Sequence, residues 1–469
     1  MKKKRITQPP SNGKQQRPLI QLTGILLLLP AFVSSAPESV NVSVTLNDVP
    51  EQDRALGGTA TGSTPNLSPS EATAAVFSAL CPAIASQERT SAQENLLQLC
   101  SALGETGAAD QSRIYDQISS KANSANANIS NLEQSGVQLN ANLSSNGVHS
   151  TPSKTRPGAY RYQSQIPLYS FLGSSGKSDW DYFYKRINTF TSFDSSFSER
   201  DETIDDVGFK SLHLKFLFGA DYRINNTFLV GTAITLGRSE TELADNRGNA
   251  DSTAINWTLF GLHQINERWS VNGTFMLQTT DYDNAREISI NLPPLISSYS
   301  LSAESSAQQT GLLVGSDYQW SLPNAFELSL LNQFNAVRTE TDSYSESGNT
   351  GFELSINAQE VNNTTINNGV EIRKPLAQSW GVLIPQLNIH WVHQFADQSR
   401  DIKATFIHDP QANLIAYATD EGDSDYFTAQ LGAVFVIPNG INGFAQLSSV
   451  LGYEHYSNTT LSIGLRGEF

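Results

Sequence analysis

The chain has 469 residues, 39% of them hydrophobic, and a formal net charge of -16. That acidity argues against a nucleic-acid partner, whose phosphates it would repel, and reads instead as solubility and loop charge. A mean hydropathy of -0.30 suits a soluble protein, and it equally suits a transmembrane barrel, since half of each barrel strand faces a wet lumen.

Lys2, Lys3, Lys4, Arg5 and Arg17 precede an apolar run from Leu19 to Val33 and then Ser34-Ser35-Ala36. The run is short for a membrane span and is followed by small residues, so residues 1–35 read as a secretory signal, with a single-pass anchor as the alternative. The chain then acts outside the cytoplasm. Residues 36–109 form a short N-terminal segment that begins as a leader rich in Gly, Ser, Thr and Pro. Ser68-Pro69-Ser70-Glu71 is a capping box with proline at the first helical position, opening a helix to about Leu80. Thr90-Ser91-Ala92-Gln93 opens a second, which carries Leu96, Leu97, Leu99 and Leu103 before Gly104 stops it.

The chain's cysteines, Cys81 and Cys100, sit near the ends of these helices. In an oxidising compartment they can staple a helical hairpin, worth about 3 kcal/mol. Two free thiols are the alternative. No His precedes His149, so a metal site is not expected there. Over residues 110–145 the apolar positions Ile114, Ile118, Ala122, Ala125, Ile129, Leu132, Leu139 and Leu143 recur at helical spacing among Asn, Ser and Gln. They predict a polar amphipathic helix, suited to a wet tunnel or a coiled-coil seam. Residues 146–178, with Pro152, Pro157 and Pro167, read as a linker.

From residue 179 to Phe469 the pattern changes to period two. Leu212, Leu214, Phe216, Phe218, Ala220 and Tyr222 oppose His213, Lys215, Gly219 and Asp221. Trp269, Val271, Phe275 and Leu277 oppose Ser270, Asn272, Thr274 and Gln278, and Leu387, Ile389, Trp391 and Phe395 oppose Asn388, His390 and Gln394. This is the lipid-out, water-in alternation of a membrane barrel. Short turns at Asn225-Asn226, Asn266-Glu267, Pro323-Asn324, near Gln378 and at Pro438-Asn439-Gly440 alternate with long acidic connections over 192–210, 239–252, 287–307, 338–363 and 396–424. Aromatics such as Tyr222, Phe228, Trp269, Trp320, Phe326 and Trp380 gather beside the short turns as an interface girdle. The expected fold is all-β: a twelve-stranded antiparallel transmembrane β-barrel preceded by a small α-helical segment.

Gly219-Ala-Asp-Tyr222, its echo Gly315-Ser-Asp-Tyr318, Trp391-Val-His-Gln-Phe395, the stretch from Arg400 to Phe406, Asp423-Ser-Asp-Tyr-Phe427 and the closing Gly464-Leu-Arg-Gly-Glu-Phe469 are spread over residues 180–469. In this order and spacing they resemble the C-terminal translocator domain of autotransporters, the type V secretion barrels. The resemblance implies a twelve-stranded barrel with a helix threading its lumen, a Gram-negative outer-membrane location, and periplasmic chaperones and the barrel-assembly machinery as partners. It also implies an assembly signal at Phe469, with Leu465, Ile463 and Leu461 on the same face of the last strand. Gly467 stands where such strands usually carry a bulky residue, and the segment ahead of the barrel is far smaller than the usual passenger.

No G-x-S-x-G, H-E-x-x-H or Walker-type sequence occurs, and Gly422-Asp423-Ser424 falls in a long connection where a lipase motif has no strand to follow. His390 and His393 lie on opposite faces of one strand and cannot share a metal. No catalytic, cofactor-binding or metal residues are expected. Lys215, Glu371, Arg373, Arg466 and Glu468 are expected to face the lumen and pair across it. Two functions compete: a translocator that delivers and anchors its own N-terminal segment at the surface, and a porin-like channel with a periplasmic or lumenal helical plug. A lipid bilayer is the expected surround, and a monomer the expected state.

Overall fold

Twelve long strands hydrogen-bond to their neighbours in a closed antiparallel ring. They are β1 Ile187–Arg200, β2 Phe209–Arg223, β3 Phe228–Leu243, β4 Gly248–Gln264, β5 Trp269–Leu292, β6 Leu295–Ser321, β7 Glu327–Thr341, β8 Gln359–Arg373, β9 Gly381–Gln394, β10 Asp425–Ile437, β11 Ile441–Leu451 and β12 Tyr456–Glu468. The ring closes between β12 and β1, where Tyr456 faces Arg200 and Glu468 faces Asn188. This computed structural model describes residues 67–124, 186–293, 295–395, 400–437 and 441–468, plus the backbone of two paired strands, Thr151–Lys154 and Tyr160–Gln163, inside the expected linker. All of them belong to the second of two units, Gly62–Phe469. The expected secretory signal, the leader, residues 125–145 and Phe469 lie outside the described residues.

The wall alternates as period two requires. Leu214, Phe216, Phe218, Ile389, Leu461 and Ile463 are exposed on the outer face, while His213, Asp221, Asn388, His390, Thr460 and Ser462 are buried on the inner one. Hydrocarbon demands the first set and a wet interior the second. Gly219 falls on the inward row opposite Phe190, whose ring lies over it; a Cβ there would meet Phe190 Cζ at 2.3 Å.

Turn chemistry sets the two rims apart. Asn225 Oδ1 accepts from the backbone of Thr227 and Phe228, and Asn266 Oδ1 from Arg268 and Trp269, so each asparagine closes its own tight turn. Beside this rim Trp269 and Trp380 are exposed, the rings of Tyr318 and Trp320 lie 4.6 Å apart, and Lys374 Nζ stands 4.5 Å over Phe326. Both ends of the barrel are here, as Ile187 pairs with Tyr222 next to the Asn225 turn.

The long connections are shorter than the sequence suggested, because strands run past the lipid band. β1 continues to Arg200, β3 to Leu243, and β5 and β6 meet in a hairpin at Leu292 and Leu295. Above the bilayer both faces of a strand can be wet, so the lipid-facing signal fades while backbone pairing continues. The connections over 342–358 and 400–424 fold too. They supply Tyr344–Ser345, Leu354–Ile356, Asp401–Phe406 and Leu414–Ala418, which join in that order as a small second sheet.

Candidate functional site

The N-terminal segment folds into three helices, α1 Pro69–Ala85, α2 Ser91–Gly104 and α3 Ala108–Ile118. Reciprocal capping boxes start α1 at Ser68 and Glu71 and α2 at Thr90 and Gln93. α1 runs beyond Leu80 and through Pro82, because Ile84 is fully buried in the same core as Leu80. Cys81 and Cys100 form a disulfide across α1 and α2, with their Cα atoms 5.8 Å apart.

These helices sit on the long-connection rim. Phe77, Leu80, Leu96 and Ile114 share one core with Ile288, Ile290 and Leu292 of the projecting β5–β6 hairpin, with Leu354, Ile402, Phe406 and Tyr417 of the second sheet, and with Phe352 just before it. Each fully buried Leu, Ile or Phe stabilises by about 1.5–3 kcal/mol, so the docking is a true hydrophobic core. Polar bonds set its register: Asn95 Nδ2 donates to Thr350 O at 2.8 Å and Gln93 Nε2 to His408 O at 3.1 Å. Gly351, at φ +96°, lies directly under α2, where a Cβ would strike Ala92 O at 2.2 Å.

After α3 the chain turns into the barrel mouth. The expected continuous helix breaks at Ser119, which is extended, and a 3₁₀ turn, Ser120–Ser124, follows. The break is local: Ser119 Oγ donates to Asp116 O at 2.7 Å and accepts from Lys121 N, so the side chain takes up backbone groups that a helix would have used. Ala122 then packs against Val207, Phe209, Leu243 and Ala250 at the upper ends of β2, β3 and β4. Buried ion pairs fasten the turn. Lys121 Nζ reaches Glu202 at 3.0 Å and Thr203 O at 2.7 Å, Arg247 reaches Asp116 at 2.5 Å and Glu202 at 2.9 Å, and Asn123 donates to Glu346, which also pairs with Arg286 at 2.5 Å. Loops from three parts of the rim thus grip Lys121, Ala122 and Asn123.

Ionisation around this cap follows from burial. Desolvation draws the Arg400 guanidinium down to about 10 against the opposing pull of Asp206, which leaves it charged at neutral pH. Burial also raises the Tyr417 and Tyr344 hydroxyls. Glu353 goes the other way: burial pushes its carboxyl up, but the backbone N–H groups of Thr350 and Gly351 outweigh this and hold it below its ordinary value.

The charges expected to line the lumen pair along the wall instead of across it. Arg373 Nε meets Glu327 at 2.8 Å on the adjacent strand, with Glu371 3.5 Å away on its own strand, and Arg466 meets Asp221 at 2.7 Å. Glu327 and Arg373 are register partners on strands about 4.8 Å apart, and Arg466 reaches over β1 to Asp221, whereas the far wall is out of reach. Lys215 stands opposite Asp194 in the β1–β2 register. The side chain of Glu468 lies outside the described residues. Leu461, Ile463 and Leu465 are exposed on the outer face of β12. His390 is buried inward, while His393 bonds Asp425 at 3.0 Å. The docking surface itself was missed, although Ile288-x-Ile290-x-Leu292 and Ile402-x-Ala404-x-Phe406 advertised buried strand faces within supposed loops.

Replacing both Cys81 and Cys100 by Ser should cost the cap about 3 kcal/mol, seen as faster amide exchange in α1 and α2 with exchange in the barrel strands unchanged. The depressed carboxyl of Glu353 contributes stability that is complete above its unfolded value near 4.3 and is lost as pH falls through the lower folded value. Exchange in α2 should therefore quicken on acidification below about pH 4, and Glu353→Gln should quicken it at pH 7 and flatten that pH dependence.

The family model of the autotransporter beta-domain matches residues 189–448, from β1 to β11. Among solved structures, the translocator domain of autotransporter NalP from Neisseria meningitidis is 16% identical at TM-score 0.47, with 62% of this chain and 91% of that one covered. The beta domain of the Bordetella autotransporter Brka is 11% identical at TM-score 0.45, with 61% and 100% covered, and the transport unit of AIDA-I from Escherichia coli is 12% identical at TM-score 0.39, with 64% and 93% covered. Among curated proteins none matches the chain. The family match over more than half of the sequence, on a closed twelve-stranded wall, settles the identity: the chain belongs to the autotransporter beta-domain family, whose barrels sit in the Gram-negative outer membrane.

Proposed function

We propose that the barrel delivers its own N-terminal segment to the cell surface and keeps it there as a cap over the pore. The observation that carries this reading is the position of the helices. They pack on the long-connection rim, whereas Arg186, where the chain re-enters the described residues, is at the short-turn rim beside Ile224. In outer-membrane barrels the short turns are periplasmic and the long connections external. The two rims stand on opposite sides of the bilayer, and the polar inner wall is the route between them that costs a polar segment least.

The porin-like alternative places the helices in the periplasm or the lumen, and the core they share with the outer hairpin argues against it. The burial of Ser120, Lys121, Ala122 and Asn123 supports a closed pore, since Lys121 and Asn123 are both gripped by rim residues. The outward row Leu461, Ile463 and Leu465, together with Phe469, is the segment we assign to recognition by the assembly machinery, after escort by periplasmic chaperones.

An epitope tag inserted at Gly57 tests the orientation. Intact cells should bind the antibody and lose the epitope to added protease. Binding only after the outer membrane is permeabilised would reject surface delivery.

A further inference from the structure

The outer face of the barrel is apolar at the height of the hydrocarbon, and hydroxyls that interrupt it turn back onto the backbone. Thr191 Oγ1 donates to Leu217 O at 2.8 Å and Thr232 Oγ1 to Thr258 O at 3.0 Å. Ser316 accepts from Trp269 Nε1 at 2.8 Å. Such groups cost the bilayer little, because their hydrogen-bonding needs are met within the chain.

Two amides break the rule. Asn332 on β7 and Asn368 on β8 stand directly opposite each other. Along the outward row of β7 the order is Phe326, Leu328, Leu330, Asn332, Phe334, Ala336, and only then Arg338; along that of β8 it is Ile372, Val370, Asn368 and Ile366. The pair therefore lies in the middle of the apolar band, away from both polar rims. Asn332 Nδ2 donates to Asn368 Oδ1 at 2.5 Å. One bond between two amides leaves one carbonyl oxygen and one NH₂ group with further capacity, whichever way the amides are turned. Acyl chains offer neither a donor nor an acceptor, so an isolated barrel pays to hold these groups in lipid.

We propose that this stripe is the contact face of a homodimer in the plane of the membrane. The free groups are a donor and an acceptor side by side, and a two-fold axis through the pair brings each donor onto the other copy's acceptor. Asn368 Nδ2 of each copy then donates to Asn332 Oδ1 of its mate, closing a ring of four amides with every member both giving and receiving. That self-complementarity selects a second copy of this chain over any lipid. Small residues beside the stripe allow the walls to meet: Gly273 on β5 has open space where a Cβ would stand, and Ser316 is the register partner of Asn332. The dimer replaces the monomer expected from the sequence and is independent of where the helical cap lies.

The test uses the full-length chain reconstituted in lipid at high dilution. Since Cys81 and Cys100 are joined, one added cysteine is the free thiol. Phe334→Cys beside the stripe should give a covalent dimer with a short bis-maleimide, and Leu214→Cys, on the lipid face of β2, should not. Adding Asn332→Leu and Asn368→Leu to the Phe334→Cys chain should lower the dimer yield by about tenfold, the effect of losing the reciprocal bonds, while the barrel keeps its heat-dependent gel shift. Mass photometry of the wild-type chain in lipid discs, which requires no substitution, should show two copies. A single copy in the discs, equal cross-linking from Leu214→Cys, or a dimer yield unchanged by the two leucines would each overturn the proposal.

Discussion

Hydrocarbon accepts no unpaired backbone amide, and this one constraint organises the molecule. A strand whose edge faces lipid has to be paired, so the sheet must close, and it closes along the whole length of β12 against β1. Closure in turn divides every strand into an outward and an inward set. Phe216 and Leu461 go to one side, and His213 and Ser462 to the other, without any freedom to slip by one residue. The even number of strands then brings both barrel ends to the same rim and leaves the opposite rim to longer connections.

Those connections are free of the lipid rule, and the chain uses them to build an ordinary globular core. The β5–β6 hairpin and the second sheet present Ile288, Phe352 and Phe406, and the helices present Phe77 and Leu80 in return. Together they form one cluster. The mouth below is held differently, by Lys121, Arg247, Glu202 and Asp116 at hydrogen-bond distance. Such pairs fix position more than they add net stability, because removing a carboxylate leaves the buried Lys121 or Arg247 side chain uncompensated. The apolar core holds the cap on, and the ion pairs fix its final turn over the opening.

How much of this was legible in the sequence depends on what surrounds each segment. Leu212 to Tyr222 was readable because lipid lies on one side and water on the other, which makes the alternation strong. Toward Arg200, Leu243 and Leu292 that contrast fades, and the sequence reads these strand ends as loop. Caps and turns were readable from single residues, since Ser68, Thr90, Asn225 and Asn266 each satisfy neighbouring backbone groups. The break at Ser119 is harder to read, because helical periodicity continues through Ile118 and Ala122; the Ser119 side chain that opens the turn and Glu202, 81 residues away, which holds Lys121 in it, act together. Docking was half visible: the apolar stripe of α1 and the dyads around Ile288 and Ile402 each implied a missing partner, but nothing in the order of residues says that they are partners of each other. Glu371, Arg373 and Arg466 are buried on the inner face as the alternation suggests, but Arg373 and Arg466 pair along the wall and not across the lumen, since a one-dimensional pattern reports facing and not distance.

The account depends most on a wall with lipid outside and fluid inside. Nitroxide labels placed singly at Leu214, Ile389 and Leu461, and at the adjoining His213, Asn388 and Ser462, measure it in a bilayer through relaxation by oxygen, which concentrates in lipid, and by a water-soluble nickel chelate. The outward three should be relaxed by oxygen and shielded from nickel, with the order reversed at the inward three. Equal access of the nickel chelate to both members of each pair would contradict the account.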